Sequence, residues 1–147
     1  MTFGVVKTDE PLLGELIAIA FEATGHDCLV FEDVDQAARI LDALYLDALV
    51  LDLHLADRSG LDWLENVVAT RPDLPARTLL LTRTATTSDE AARIAALGAE
   101  VAPRPASVTE VQYVVLERLR RVGAQRADRS GPRRVYEMRV YSKQFES

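Results

Sequence analysis

The feature that most constrains the fold is a regular alternation of short apolar runs with longer segments of helical periodicity. Five such runs, rich in Val, Leu and Phe, lie at 3–6, 28–31, 48–53, 77–82 and 100–103. Strands that alternate with helices favour a parallel sheet covered on both faces. The centres of the third and fourth runs, LVL and LLL, consist of Val and Leu, as expected for strands buried on both sides. The pattern predicts an α/β protein with a doubly wound, five-stranded parallel sheet.

The segments between these runs carry the start and stop signals of helices. The predicted helices cover 11–25, 33–45, 59–72, 88–98 and 107–122. Gly25 and Gly98 are helix stops, and Ser107 with Glu110 forms a capping-box pattern. Each predicted strand is therefore followed by one predicted helix.

The length and cysteine content favour one domain in a reducing compartment. A chain of 147 residues has the size of a single domain. The only cysteine, Cys28, lies in an apolar run and is predicted to be a buried thiol, so the fold does not depend on a disulfide. We find no signal peptide and no apolar run of about 20 residues, which predicts a cytoplasmic protein without membrane contact.

The charge is distributed unevenly and suggests a boundary near residue 122. Residues 1–117 carry a net charge of −12, whereas residues 118–147 carry +6. We therefore expect a domain over 1–122 followed by a basic linker or tail over 123–147. Alternation of apolar and polar residues within 134–142 is compatible with an extra strand, which could dock on its own sheet, complete a homodimer or remain a solvated arm. Of these, docking in a dimer is the favoured prediction.

Polar side chains follow four of the five predicted strands. Asp9 and Glu10 follow the first, Asp52 lies at the third, Thr82 at the fourth and Arg104 at the fifth. Ligands of such sheets bind outside the carboxyl ends of the strands, so these groups are expected to converge. Carboxylates can hold a hard divalent cation, and a hydroxyl and a guanidinium can hold an anion.

The motifs that contain these residues resemble the receiver domain of bacterial two-component response regulators. They are "KTDEP" after the first strand, "LDLHLADRSGL" around the third, "LLLT" at the fourth, and "GAEVAPRP" around the fifth. Their order and spacing match over about residues 3–122. The resemblance implies a (βα)5 flavodoxin-like fold.

The resemblance also implies a phosphoacceptor and a metal site. Asp52 would accept a phosphoryl group and form an aspartyl phosphate. Mg²⁺ would be held by Asp9, Asp52 and the backbone carbonyl of His54, with Glu10 in the outer shell.

Two further residues are implied to act on the phosphoryl group, and partners are implied with them. Thr82 would hydrogen-bond a phosphoryl oxygen, and Arg104 would pair with the same group where the family has Lys. The phosphodonor would be a histidine kinase or a phosphotransfer protein, and the output a downstream protein target. Such a domain phosphorylates and dephosphorylates itself and is not a turnover enzyme.

Several residues depart from the family pattern and keep an alternative open. Thr8 replaces the first acid of the acidic pair, Arg104 replaces Lys, and Arg83 stands where a small residue is usual. Arg83 could block the pocket or clamp the anion. The alternative is a pseudo-receiver, an interaction module with weak or no phosphorylation.

Two other functions are less well supported by the sequence. A haloacid-dehalogenase phosphohydrolase expects a second Asp two residues after the nucleophile, where this chain has His54. The roughly 25 residues after 122 are too few for a winged or four-helix effector, so a DNA target is not implied.

Overall fold

The protein contains one five-stranded parallel sheet, in agreement with the predicted α/β architecture. The computed structural model describes residues 1–10 and 12–121. The strands are β1 (Thr2–Val6), β2 (Asp27–Phe31), β3 (Ala48–Asp52), β4 (Thr78–Thr82) and β5 (Glu100–Pro103). Their order in the sheet is β2-β1-β3-β4-β5. This is the order of flavodoxin-like folds, and it confirms the predicted fold class.

A helix follows each strand, although most helices are shorter than predicted. They are α1 (Leu13–Glu22), α2 (Val34–Leu41), α3 (Gly60–Val67), α4 (Ser88–Leu97) and α5 (Val108–Glu110). The last continues through a π-helical segment, Val111–Val115, into helical residues up to 121. A 3₁₀ turn, Pro75–Arg77, precedes β4. Within the described residues no helix is long and apolar enough to cross a bilayer.

Two apolar clusters cover the two faces of the sheet. On one face α1 and the helical segment after residue 107 pack on β1, with Phe3, Ile17, Phe21 and Val115 fully buried. On the other face side chains of α2, α3 and α4 form a second cluster with side chains of β1, β2, β3 and β4. Burial of this apolar surface is the main stabilising contribution to such a fold.

Trp63 and Cys28 are both buried, and the burial of Cys28 confirms the prediction from the sequence. Trp63 is 7% exposed within the second cluster, where it anchors α3. Cys28 is buried as a free thiol, and burial raises its pKa well above the ordinary value. It therefore behaves as a small apolar core residue.

The strand register brings the carboxyl ends of β3, β4 and β5 to one edge of the sheet. Asp52 pairs with Leu81, and Thr82 pairs with Pro103. The backbone N–H of Arg104 donates to the carbonyl of Thr82 at 2.8 Å, which extends the ladder by one residue. The predicted convergence of Asp52, Thr82 and Arg104 follows from this register. The predicted basic tail, 123–147, lies outside the described residues.

Candidate functional site

Asp52 is the last residue of β3 and the most buried carboxylate of the site. It is 3% exposed, because the strand that carries it is covered on both faces. Its Oδ2 accepts a hydrogen bond from Arg104, whereas its buried Oδ1 has no hydrogen-bond partner among the residues that the structure describes. Burial raises the pKa of Asp52, and the Arg104 guanidinium opposes this effect. The chain thus holds a carboxylate oxygen with unused lone pairs at the carboxyl edge of its central strand.

Arg104 joins the three carboxylates that the sequence places at this edge. Its side chain is 7% exposed, and one of its nitrogens donates to Asp52. The other terminal nitrogen donates to Oδ1 of Asp9 at 2.9 Å and to Oε1 of Glu10 at 3.1 Å. The planar fork of a guanidinium makes such multiple contacts, which a single ammonium group cannot reproduce.

Arg83 contacts the same acidic pair from the loop after β4. Its Nη2 lies 2.7 Å from Oδ1 and 2.8 Å from Oδ2 of Asp9, and 3.5 Å from Oε1 of Glu10. The pKa of Asp9 is lowered: desolvation raises it, but the hydrogen bond and charge of Arg104 and the charge of Arg83 outweigh that effect. The sequence left the role of Arg83 open, and in the structure Arg83 is paired with the carboxylates.

Thr82 makes its hydrogen bonds within its own loop. Its hydroxyl donates to the carbonyl of Thr84 at 2.8 Å and accepts from the N–H of Thr84 at 3.3 Å. Together with Asp52, Arg104 and Asp9 it lines a cavity of about 230 Å³. Thr82 therefore lies beside the Asp52 carboxylate, and its hydroxyl proton is directed to the backbone carbonyl of Thr84.

His54 lies two residues after Asp52, and its side chain interacts with α4. Its Nε2 is 2.8 Å from Oε2 of Glu90, and the imidazole is more than half exposed. Glu90 also accepts from the backbone N–H of Thr87 in a capping box that begins α4. Sequence reasoning missed Glu90, although the pattern Thr-x-x-Glu at 87–90 was the available signal. The contact joins the loop after β3 to the start of α4.

Gly60 is required by its close approach to the backbone of Asp52. A Cβ atom at this position would lie 2.0 Å from the carbonyl oxygen of Asp52. The N–H of Gly60 donates to the carbonyl of Leu53 at 2.8 Å, which closes the loop after β3. The glycine eight residues after Asp52 therefore allows the loop after β3 to pass close to the backbone of Asp52.

The oxygen donors fit a divalent cation, in competition with the two arginines. Asp9 and Asp52 supply carboxylates, and the unpartnered Oδ1 of Asp52 is available as a ligand. Within the described part of the chain, no cluster of three or more His, Cys, Asp or Glu side chains is arranged to hold a metal ion. A metal here would therefore need backbone and water oxygens to complete its shell. In this arrangement Arg83 and Arg104 supply the positive charge.

Comparisons with known proteins agree with this geometry. No family model matches the chain. The probable transcriptional regulatory protein TcrX of Mycobacterium tuberculosis is 33% identical over 124 residues, which cover 84% of this chain and 52% of TcrX. The non-phosphorylated HemR receiver domain of Leptospira biflexa is 32% identical, with a TM-score of 0.67, over 83% of this chain and 93% of that domain.

More distant solved structures show the same fold. The Francisella response regulator 1452 receiver domain has a TM-score of 0.67 at 18% identity, over 84% of this chain and 97% of its own. A response regulator from Burkholderia pseudomallei, solved with a phosphorylated aspartic acid, a calcium ion and citrate, has a TM-score of 0.62 at 24% identity. That match covers 88% of this chain and 75% of the Burkholderia chain.

The sheet order, the buried strand-end aspartate and these similarities define one class of protein. The chain belongs to the response regulator receiver domains of two-component systems, which confirms the resemblance seen in the motifs. The chain spans about half the length of TcrX, the curated relative that it matches.

Proposed function

We propose that this domain accepts a phosphoryl group on Asp52 from a histidine kinase or a phosphotransfer protein, and thereby switches a downstream protein. The observation that supports this most directly is the Asp52 carboxylate, which ends the central strand with one oxygen unpartnered. A carboxylate oxygen at this position, at the end of a buried strand and beside the cation of Arg104, can act as a nucleophile toward an anionic phosphoryl group.

The proposed step is nucleophilic attack by a carboxylate oxygen of Asp52 on phosphorus. A phosphorus–oxygen bond forms while the bond from phosphorus to the donor's imidazole nitrogen breaks, and the imidazole leaves with the bonding electron pair. Because both reactants are anionic, the site must neutralise negative charge. Arg104 lies against Asp52 and can pair with the transferred group, while Thr82 can turn its hydroxyl from Thr84 toward a phosphoryl oxygen.

We further propose that Mg²⁺ binds at Asp9 and Asp52, with the backbone carbonyl of His54 and with Glu10 acting through water. When bound, the ion would neutralise charge on the phosphoryl oxygens. The calcium ion in the Burkholderia structure supports a divalent cation in that protein's class of fold. The carboxylates of Asp9 and Glu10 face the same pair of arginines, so metal affinity depends on how easily these side chains move away.

The remaining parts of the proposal concern context. We propose a cytoplasmic phosphoacceptor domain rather than a turnover enzyme, because the transferred group remains on the protein's own Asp52. We also propose that residues 1–122 form the receiver and that 123–147 form a basic extension that contributes to a homodimer. A DNA target is not implied by the receiver itself.

Mass spectrometry after incubation with acetyl phosphate and Mg²⁺ tests the acceptor. We expect the wild type to gain the mass of one phosphoryl group and Asp52→Asn to gain none. Asp57→Asn is a matched control, because Asp57 is an exposed carboxylate in the loop after β3 and should leave labelling unchanged. Labelling that persists in Asp52→Asn would show that another residue is the acceptor.

A second candidate function, the pseudo-receiver, is favoured by one observation. Arg104 pairs with Asp52, and Arg104 and Arg83 both pair with Asp9, so two cations offset most of the negative charge of the site without a ligand. A folded wild-type protein that gains no mass at any phosphodonor concentration, from acetyl phosphate or from a phosphorylated kinase, would favour this function.

A further inference from the structure

We propose that Arg83 and Arg104, here called the arginine pair, act as an internal cation that occupies the acidic pocket and competes with a divalent metal for the same carboxylates. The proposal rests on the proposed receiver function, because it concerns regulation of that site. In this proposal Arg83 and Arg104 hold the proposed metal ligands in place of the metal.

Arg104 occupies the space between the carboxylates that are proposed to bind the metal. Its guanidinium bonds to Asp52 on one side and to Asp9 and Glu10 on the other, so it lies between the carboxylates proposed as metal ligands. A magnesium ion would need to approach these oxygens to about 2.1 Å. Oδ1 of Asp9 already accepts from Arg104 at 2.9 Å and from Arg83 at 2.7 Å, so both of its lone pairs are engaged. The metal and Arg104 therefore cannot both hold the pocket in this arrangement.

Arg83 engages the second proposed metal ligand, Asp9. One nitrogen of Arg83 lies within 2.8 Å of both oxygens of Asp9, so neither oxygen is free of a cation. Arg83 extends from the loop after β4, whereas Asp9 lies after β1, so the ion pair connects two loops on the same edge of the sheet. Metal binding at Asp9 must release this connection next to Thr82.

The net charge of the cluster also favours competition between the arginines and a metal ion. The carboxylates of Asp9, Glu10 and Asp52 face the guanidinium groups of Arg83 and Arg104, so the cluster has a net charge of −1. A divalent cation added to this cluster would bring the net charge to +1. Removal of one arginine makes the net charge of the cluster more negative, which favours binding of a cation. It also frees carboxylate oxygens that can act as metal ligands.

Arg83 is the better position for a test, because its side chain is half exposed and its replacement leaves the core intact. We expect Arg83→Ala to bind Mn²⁺ about five- to tenfold more tightly than the wild type. The measurement is titration with Mn²⁺ alone, followed by electron paramagnetic resonance of the free ion, without phosphodonor. Circular dichroism verifies that each variant is folded.

Arg121→Ala is the matched control. Arg121 is exposed to a similar extent and pairs with Glu100 at 3.1 Å, outside the cluster of Asp9, Glu10 and Asp52. The Arg121→Ala substitution removes the same charge as Arg83→Ala but does so outside the cluster. Because salt screens distant surface charges, Arg121→Ala should change Mn²⁺ affinity by less than about twofold. Arg104→Lys is a second test variant, which keeps the charge, loses the fork and should also tighten binding.

Equal Mn²⁺ affinity in Arg83→Ala and Arg121→Ala would overturn the proposal, because the effect would then be one of overall charge. Undetectable binding in every variant would also overturn it, since arginine competition would not be what limits affinity. The Mn²⁺ titrations contain no phosphodonor, so they test metal competition independently of phosphotransfer. If acetyl phosphate failed to label the protein, the proposed function would be contradicted, but the Mn²⁺ affinities of the variants could still be compared.

Discussion

At the scale of single residues, the exchange of a lysine for Arg104 has the largest structural consequence. A lysine would offer one compact charge, whereas Arg104 divides its donors between Asp52 and the acidic pair. Both Arg104 and Asp52 are almost completely shielded from solvent. Removal of one member of a buried ion pair leaves an uncompensated charge, which is strongly destabilising.

We therefore expect Arg104→Met to lower the free energy of unfolding by about 3 kcal/mol or more, measured by urea denaturation. Arg93→Met is the control: Arg93 also contacts three carboxylates, but it lies on the surface between α3 and α4, and its loss should cost under about 1 kcal/mol. Adding Asp52→Asn to Arg104→Met should restore part of the stability. Failure of this restoration would show that the loss comes from packing rather than charge.

Gly60 provides a prediction about sterics. Gly60→Ala should destabilise the protein by about 2–3 kcal/mol, because the new methyl group would collide with the carbonyl of Asp52. Gly14→Ala, inside α1, is the matched control. Its Cβ would meet its nearest neighbour at 3.4 Å, so we expect no loss and up to about 1 kcal/mol of added stability. Equal effects of the two substitutions in urea denaturation would contradict the assigned role of Gly60.

The burial of the Cys28 thiol predicts that reagents in solution do not reach it. Because it is buried and its pKa is raised, it should not react with Ellman's reagent in the folded protein at neutral pH. Addition of guanidinium chloride beyond the unfolding transition should expose one reactive thiol per chain. Rapid reaction of the native protein would show that the first apolar cluster opens locally.

At the scale of elements, α4 depends on a capping box that also contacts the site. Thr87 accepts from the N–H of Glu90, and Glu90 accepts from the N–H of Thr87 and contacts His54. Thr87→Ala should lower the free energy of unfolding by about 1 kcal/mol in urea denaturation. Ser88→Ala is the control, because Ser88 is the first residue inside the helix and should be nearly neutral. Equal losses would show that the helix begins elsewhere.

The same helix shows what the sequence could and could not predict. Five strands and five helices were predictable, because apolar runs and helical periodicity are local properties of the chain. The predicted start of α4 at residue 88 agrees with the structure, but its N-cap, Thr87, was not identified, because Thr87 and Ser88 can both cap and only backbone geometry distinguishes them. The π-helical segment Val111–Val115 was not predicted, since its hydrogen-bond pattern leaves no mark on residue spacing.

The site was predictable as a set of residues, and its internal contacts were not. The position of Asp52, Thr82 and Arg104 at strand ends follows from topology, which the alternation of elements predicts. The pairing of Arg83 with Asp9 joins side chains 74 positions apart, and depends on side-chain conformations in two loops. No local pattern in the sequence encodes such a contact.

At the scale of the whole molecule, both apolar clusters are formed by the described residues before 122. We therefore expect a chain truncated after residue 122 to unfold cooperatively and to keep Asp52 labelling. Light scattering and thermal denaturation of the full-length and truncated chains then test the basic extension. A lower melting temperature or a smaller oligomer after truncation would support its docking; identical values would contradict it.

The unequal exposure of the arginine pair makes its two members respond differently to the surrounding electrolyte. Arg83 is half exposed, so dissolved salt at physiological strength, with a screening length of about 8 Å, weakens its attraction to Asp9. Arg104 is buried against Asp52 and is screened far less. A rise in ionic strength therefore weakens the contact of Arg83 with Asp9 and leaves that of Arg104 with Asp52 in place, so Asp9 loses a cation while Asp52 keeps its own.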